Sequence, residues 1–283
     1  MASFGLARTS ASLRSGGRTA ARLRSVPVQS AGTTGRAIHL AVDVVRYSVQ
    51  DALTFRLPFG EFLWQSWALL KVTATPAILM AIPIGGIVTV VVSGLVSQLG
   101  ATALLGAASG VGVLRQGAPV TAGLLMGGAA ASAIASDFGA RAIREELDAM
   151  RVLGVDPVRR LVVPRFLALL LIAPILTLVI IVSGTASAFL LSVTVNDVAP
   201  GSFWASFGTF AKMTDVYFAL AKGMVFAAIV AVISAMRGME AKGGPRGVAD
   251  AVNAAVVINV VLILFANLAI TQIATMFFPT AVA

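Results

Sequence analysis

The sequence predicts an all-α membrane protein: five transmembrane helices, N-terminal interfacial and elbow helices, and a cytoplasmic helix between two of the spans. Three observations carry this. Of the 283 residues, 58% are hydrophobic and only 12% charged, about half the charged share usual for a soluble domain. Apolar runs of about 20 residues, the length that crosses a hydrocarbon core, recur between short polar connections. The 21 lysines and arginines concentrate in alternate connections. The formal net charge of +9 is therefore a statement about membrane topology and not a nucleic-acid-binding patch. With no cysteine and a single histidine, His39, disulfides, thiol chemistry and Cys-based metal sites are excluded.

Residues 1–36 hold Arg8, Arg14, Arg18, Arg22, Arg24 and Arg36 with no acid, among Ser, Thr, Ala and Gly. That composition cannot bury a core and predicts a disordered, Arg-rich cytoplasmic tail; it also resembles an organellar transit peptide. Residues 37–73 predict an interfacial helix and an elbow. In the first, Ile38, Val42, Val45 and Val49 fall at helical spacing. In the second, Trp64 and Trp67 with Lys71 suit the headgroup level.

Residues 74–283 form the membrane domain. The first span, about 74–96, has no ionisable residue; Pro76 marks its start and Pro83 with Gly85-Gly86 a kink. The second, about 118–138, is rich in small residues. Gly123 and Gly127 form a GxxxG pair, and Gly128 with Ser132 and Ser136 a second ladder, both predicted to pack against other helices. The third, about 161–193, is longer than one crossing requires and contains Pro174. The fourth and fifth cover about 216–236 and 248–277. Asn253, Asn259 and Asn267 in the last predict helix-to-helix hydrogen bonds, and Lys222 and Asp250, near span ends, predict snorkelling or solvation.

All basic residues except Arg115, Lys212 and Lys222 fall in the tail, the elbows and the connections 139–165 and 237–247. The positive-inside rule puts these in the cytoplasm, so the N-terminus is inside and, with five spans, the C-terminus outside. Within "GARAIREELDAMRVLGVDPVRR", Ile143, Leu147 and Met150 make an apolar stripe, and Arg141/Glu145, Arg144/Asp148 and Asp148/Arg151 can pair along a helix of about 140–153. Gly154 suits its end, and Asp156 with Pro157 the next helix start. Spacing alone fits either a solvated connecting helix or a docking helix for a cytoplasmic partner.

The stretch from Leu114 to Ala168 resembles the central signature of the MlaE/YrbE family, the permeases of ABC systems that move lipids with MCE-domain proteins. Matching positions are Arg115, Pro119, Gly139, Glu145, Glu146, Asp148, Ala149, Gly154, Asp156, Pro157, Pro164 and Arg165; a second block matches at Gly243, Gly244, Gly247 and Val248. Gln116 stands where the pattern has an acid, and Asp137 where it has Glu. "GEFLWQSWALLKVTATPAIL" is similar to the YrbE A-type subunits of actinobacterial Mce systems.

The resemblance implies that the helix at 140–153 couples the bundle to a cytoplasmic ABC ATPase. Arg144, Glu145, Glu146, Asp148 and Arg151 would be its contacts, and Ile143, Leu147 and Met150 its packing. It implies a dimer with a second, B-type permease, MCE-domain proteins on the outer side, and a lipid cavity to which Ile78, Met80, Ile84, Val88 and Val91 could contribute. Fatty acids, mycolic acids and sterols are the cargoes it suggests, and the cytoplasmic (inner) membrane is the location.

The chain has no Gly-Lys dipeptide and hence no Walker A motif. It is expected to bind no cofactor, with ATP and Mg held by the partner, to ligate no metal and to have no catalytic residues. A scaffold subunit of the same assembly and a secondary transporter are the rival functions. An intramembrane lipid enzyme would need a nucleophile and base, or clustered carboxylates, within the spans.

Overall fold

The computed structural model describes residues 35–50 and 59–277; the expected tail lies outside these apart from its last two positions. Among the described residues the secondary structure is helical, without strands. Eight helices follow in order: α1 (35–50), α2 (Phe59–Gln98), α3 (Thr102–Ile143), α4 (Glu146–Val152), α5 (Val158–Thr194), α6 (Pro200–Phe210), α7 (Met213–Met239) and α8 (Pro245–Phe277). Of these, α2, α3, α5, α7 and α8 are long and apolar enough to cross a membrane, so the chain is a multi-pass membrane protein.

The third, fourth and fifth spans end within three residues of the bounds expected from sequence. The first two do not. Elbow and span are a single 40-residue helix, α2, and Pro76 lies inside it, not at its start. Interior prolines are tolerated in membrane helices, and α2 continues through Pro76 and Pro83; in the same region Ser187 of α5 donates its hydroxyl to the Ile82 carbonyl at 2.8 Å, tying the two helices together. The second span starts sixteen residues earlier than expected, at Thr102 instead of 118, because the charge of Arg115 does not end the helix: Asp215 of α7 pairs with it.

Burial ranks the helices. Two-thirds (67%) of the most apolar window of α3 is buried, against 17% for α2 and α8. Thus α3 is the central helix, and small residues let the others close on it. A side chain at Gly123 would meet Phe226 of α7 at 2.7 Å and Ile263 of α8 at 2.8 Å; one at Gly127 would meet Ile263 at 2.9 Å. Crossing of α2 and α5 is closer still, with Gly85 against the backbone of Gly184.

Helix α1 lays Leu40, Val44 and Ser48 on the bundle and leaves Ile38, Val42, Val45 and Val49 exposed. The inner stripe is apolar except for Ser48, and the stripe picked from the sequence is the more exposed one. Helix α6 had no counterpart in the sequence reading. Its Phe203 is buried with Leu105 and Val198, and it stacks edge-on against Phe189 at 5.3 Å, closing the end of the bundle opposite α4.

Candidate functional site

The segment expected as one helix over 140–153 is broken. Helix α3 continues to Ile143, Arg144 leaves it, and Glu145 adopts a left-handed conformation (φ 59°, ψ 17°) before the seven residues of α4. Ile143 is therefore not on one continuous helical stripe with Leu147 and Met150, although it lines the same depression as Leu147. The reason is local: the turn directs Leu147 inward to 4% exposure, and the Glu146 carboxylate is drawn back to Arg144 (3.2 Å) and Arg141 (3.7 Å). Arg141 pairs with Asp137 at 3.2 Å instead of Glu145. The expected Asp148–Arg151 pair is present at 2.7 Å.

The far end of α4 is fixed. Gly154 takes φ +76°, a conformation that suits glycine at a helix end, and the Val155 amide donates to Met150 O at 2.9 Å. Asp156 accepts from the Val158 amide at 2.9 Å, capping α5. Ahead of these caps Glu145, Asp148 and Arg151 point outward, and so do Val152 and Leu153, at 88% and 78% exposure. That apolar pair at the tip of a charged turn was not among the candidate contacts, although the sequence places it directly before the capping glycine. Glu145, Asp148 and Arg151 also line a depression of about 450 Å³ with Met239, Lys242, Gly243 and Gly244, so α4 and the α7–α8 turn make one continuous surface.

The five residues proposed for a lipid cavity do not share one face. Ile84 and Val88 meet α3, 3.5 Å and 3.1 Å from where side chains on Gly117 and Gly112 would start. Ile78, Met80 and Val91 are exposed, and at 100° per residue Ile78 lies well away from the other four. The two small-residue ladders also diverge. Gly123 and Gly127 face α7 and α8, whereas Gly128 faces open space and Ser132 turns its hydroxyl back to the Gly128 carbonyl. One residue of offset rotates a helical ladder by 100°, enough to move it off the interface.

What sequence reading missed is a polar cluster inside the bundle. Lys222, expected to snorkel, is 4% exposed, as is Asp215. The Arg115 Nε and the Asp215 carboxylate are 2.9 Å apart; Lys222 Nζ donates to the Arg115 carbonyl at 3.3 Å and to the Thr271 hydroxyl at 2.9 Å. Asn267 donates to Gln116 Oε1 at 3.2 Å, and Gln116 donates to Thr271 at 3.3 Å. Arg115, Asp215 and Lys222 thus sit together among α3, α7 and α8. Arg115 lies in a π-turn, Val113–Gly117, a local widening of the helix frequent at functional sites. The sequence signal was the seven-residue spacing of Asp215 and Lys222, two helical turns on one face.

Asn259 is buried and donates to Ser234 of α7 at 2.9 Å, the interhelical role expected for it; Asn253 is exposed. Among the described residues no group of three or more His, Asp or Glu is placed to hold a metal ion.

Comparison with known proteins adds an independent line. The family model described as permease MlaE matches residues 62–273. A probable ABC transporter permease of Synechocystis is 33% identical over 184 residues, covering 65% of this chain and 70% of the relative. The chloroplastic protein TRIGALACTOSYLDIACYLGLYCEROL 1 of Arabidopsis thaliana is 32% identical, covering 62% and 50%. The intermembrane phospholipid transport system permease protein MlaE of Haemophilus influenzae is 29% identical, covering 60% and 65%. The chain thus spans between half and 70% of these relatives.

Proposed function

The chain belongs to the MlaE permease family, and from that premise we propose that it is the membrane-spanning subunit of an ABC-type lipid transporter, driven by ATP hydrolysed in a separate subunit. The observation that carries the reading is α4. A turn held by ion pairs at one end and a glycine cap at the other presents Asp148, Arg151, Val152 and Leu153 outward. It joins the central helix α3 directly to α5, so a push on it reaches the core of the bundle. Relatives named ABC transporter permease and phospholipid transport permease support the same assignment.

In this reading α4 faces the cytoplasm and docks an ABC ATPase, the N-terminus is cytoplasmic and the C-terminus outside. A second permease, a B-type sibling by the likeness noted above, completes the transport path, and MCE-domain proteins continue it outside the cytoplasmic (inner) membrane. The sparsely buried faces of α2 and α8 offer the surface for that second subunit. The basic side chains of Arg115 and Lys222 suit a cargo with an anionic head and apolar tail, such as a fatty or mycolic acid; a sterol would make less use of them. Ionisable groups within spans also occur in secondary transporters, but such a protein would not need α4.

Two substitutions separate docking from folding. Leu153→Asp changes an exposed side chain, so the melting temperature of the purified permease should not move, while co-purification of the ATPase and lipid-stimulated ATP hydrolysis should fall about tenfold or more. Glu145→Lys together with Glu146→Lys should abolish coupling as well, but with some loss of stability, because Glu146 closes the turn. Full ATPase recovery and transport with Leu153→Asp would refute docking through this tip.

A further inference from the structure

Helix α3 contains two π-turns. At Val113–Gly117 the Ala118 amide donates to the Val113 carbonyl, and at Met126–Ala130 the Ala131 amide donates to the Met126 carbonyl. Each bond reaches five residues back, where an α-helix reaches four. The first π-turn carries Arg115 of the polar cluster. The second lies between that cluster and α4, and it contains no polar side chain that would account for it. Ser132 supports it by turning its hydroxyl to the Gly128 and Ala129 carbonyls.

A π-turn is one surplus residue in a helix. Moving it along the helix advances each residue it passes into the place of its predecessor, about 100° around the axis. The sequence at the second π-turn is built of near-doublets, Leu124-Leu125-Met126-Gly127-Gly128-Ala129-Ala130. A move of about one helical turn toward Arg115 puts Leu125 in the place of Leu124, Met126 in that of Leu125, Gly128 in that of Gly127 and Ala130 in that of Ala129. Each exchange is like for like except Met for Leu, which cores tolerate well. Ala129 arrives where Gly128 is now, and a side chain there meets nothing within 4 Å. The critical place is that of Gly127, where any side chain would start 2.9 Å from Ile263 Cδ1; the arrival of a second glycine keeps this contact passable. Gly127 in the place of the fully buried Met126 is the one loss, and it makes the present register the resting one. The contact is itself incompletely satisfied: Asn259, packed on Gly127, has a buried Oδ1 with no hydrogen-bond partner among the described residues.

We propose that the π-turn at Met126–Ala130 is a two-position register device: the middle of α3 alternates between Gly127 and Gly128 against Ile263 and Asn259 of α8, while both ends of α3 keep their places. Packed helices move between discrete arrangements and do not deform continuously. The device lets the central helix re-pack on α8, between the Lys222 cluster and α4, without opening the interface. Its use in transport rests on the reading of the chain as a permease; the two registers do not.

Disulfide trapping tests the registers on the full-length permease alone in lipid nanodiscs, and the chain offers no competing thiol. A Cβ at Gly127 lies 3.6 Å from Asn259 Cβ, within the separation a disulfide needs. In an Ile263→Val background, which removes the clashing Cδ1, Gly127→Cys with Asn259→Cys should link under mild oxidation from the present register. Gly128→Cys with Asn259→Cys can link only from the second register and should also link, more slowly. Ala129→Cys with Asn259→Cys faces away in both and should stay reduced. Mass spectrometry of the linked peptides reads all three. The Gly128 pair linking no faster than the Ala129 pair would overturn the proposal, whether both stay reduced or both link through general looseness. Gly128→Leu then tests the use of the device. Its side chain projects into open space in the present register, so the melting temperature should hold, but it cannot enter the place of Gly127. Lipid-stimulated ATP hydrolysis by the assembled complex should be lost, and full stimulation with this variant would overturn the role in transport.

Discussion

Gly127→Ala asks whether the central position of α3 rests on close approach or only on its apolar composition. The new methyl would start 2.9 Å from Ile263 Cδ1 and 3.6 Å from Asn259 Cβ, and Ile263 and Asn259 are both fully buried. Inserting a methyl into a packed core costs about 1–3 kcal/mol, while replacing glycine inside a helix returns about 0.5–1 kcal/mol. A net loss of about 1 kcal/mol follows. Ile263→Val deletes the one atom that clashes, so although it costs about 0.5–1.5 kcal/mol alone, it should relieve Gly127→Ala. The two changes together should be about 1 kcal/mol more stable than their sum. Gly128→Ala, one residue on and facing open space, should be neutral or stabilising by about 0.5 kcal/mol. Reversible unfolding of the purified protein in mixed micelles gives all four values. Additivity of Gly127→Ala with Ile263→Val, or a loss at Gly128 equal to that at Gly127, would refute the packing argument.

Two further substitutions probe charge and backbone. Asp215→Asn leaves Arg115 without its carboxylate in a largely buried setting and should destabilise by about 3 kcal/mol, measured by the same unfolding assay; replacing the pair together by Asp215→Leu and Arg115→Met should recover most of that loss. At Glu145, whose φ is +59°, glycine removes the left-handed penalty of about 1–2 kcal/mol and should hold or raise the melting temperature, whereas the β-branched Glu145→Val should lower it. A lower melting temperature for Glu145→Gly than for Glu145→Val would show that the turn is not conformationally limited.

Much of this protein is legible without coordinates, because in a membrane each span must satisfy its own backbone and so announces itself by length and hydropathy. The number of spans, the limits of the last three, the caps at Gly154 and Asp156, and the family signature all follow from local sequence. The failures occur where a neighbour supplies what the sequence appears to lack. Arg115 seemed to lie outside a span, but Asp215, a hundred residues on, neutralises it and α3 runs through. Lys222 seemed free to snorkel, but Thr271 and the Arg115 carbonyl hold it inside. The helix at 140–153 had good helical spacing throughout, yet burial of Leu147 and the pull of Arg141 and Arg144 on Glu146 break it at Glu145. Sequence alone determined which segments cross the membrane and where helices can end. Only the tertiary structure decided which face of each helix is inside, which of two small-residue ladders packs, and where charge is tolerated, since those depend on partners that are distant in the chain and adjacent in the bundle.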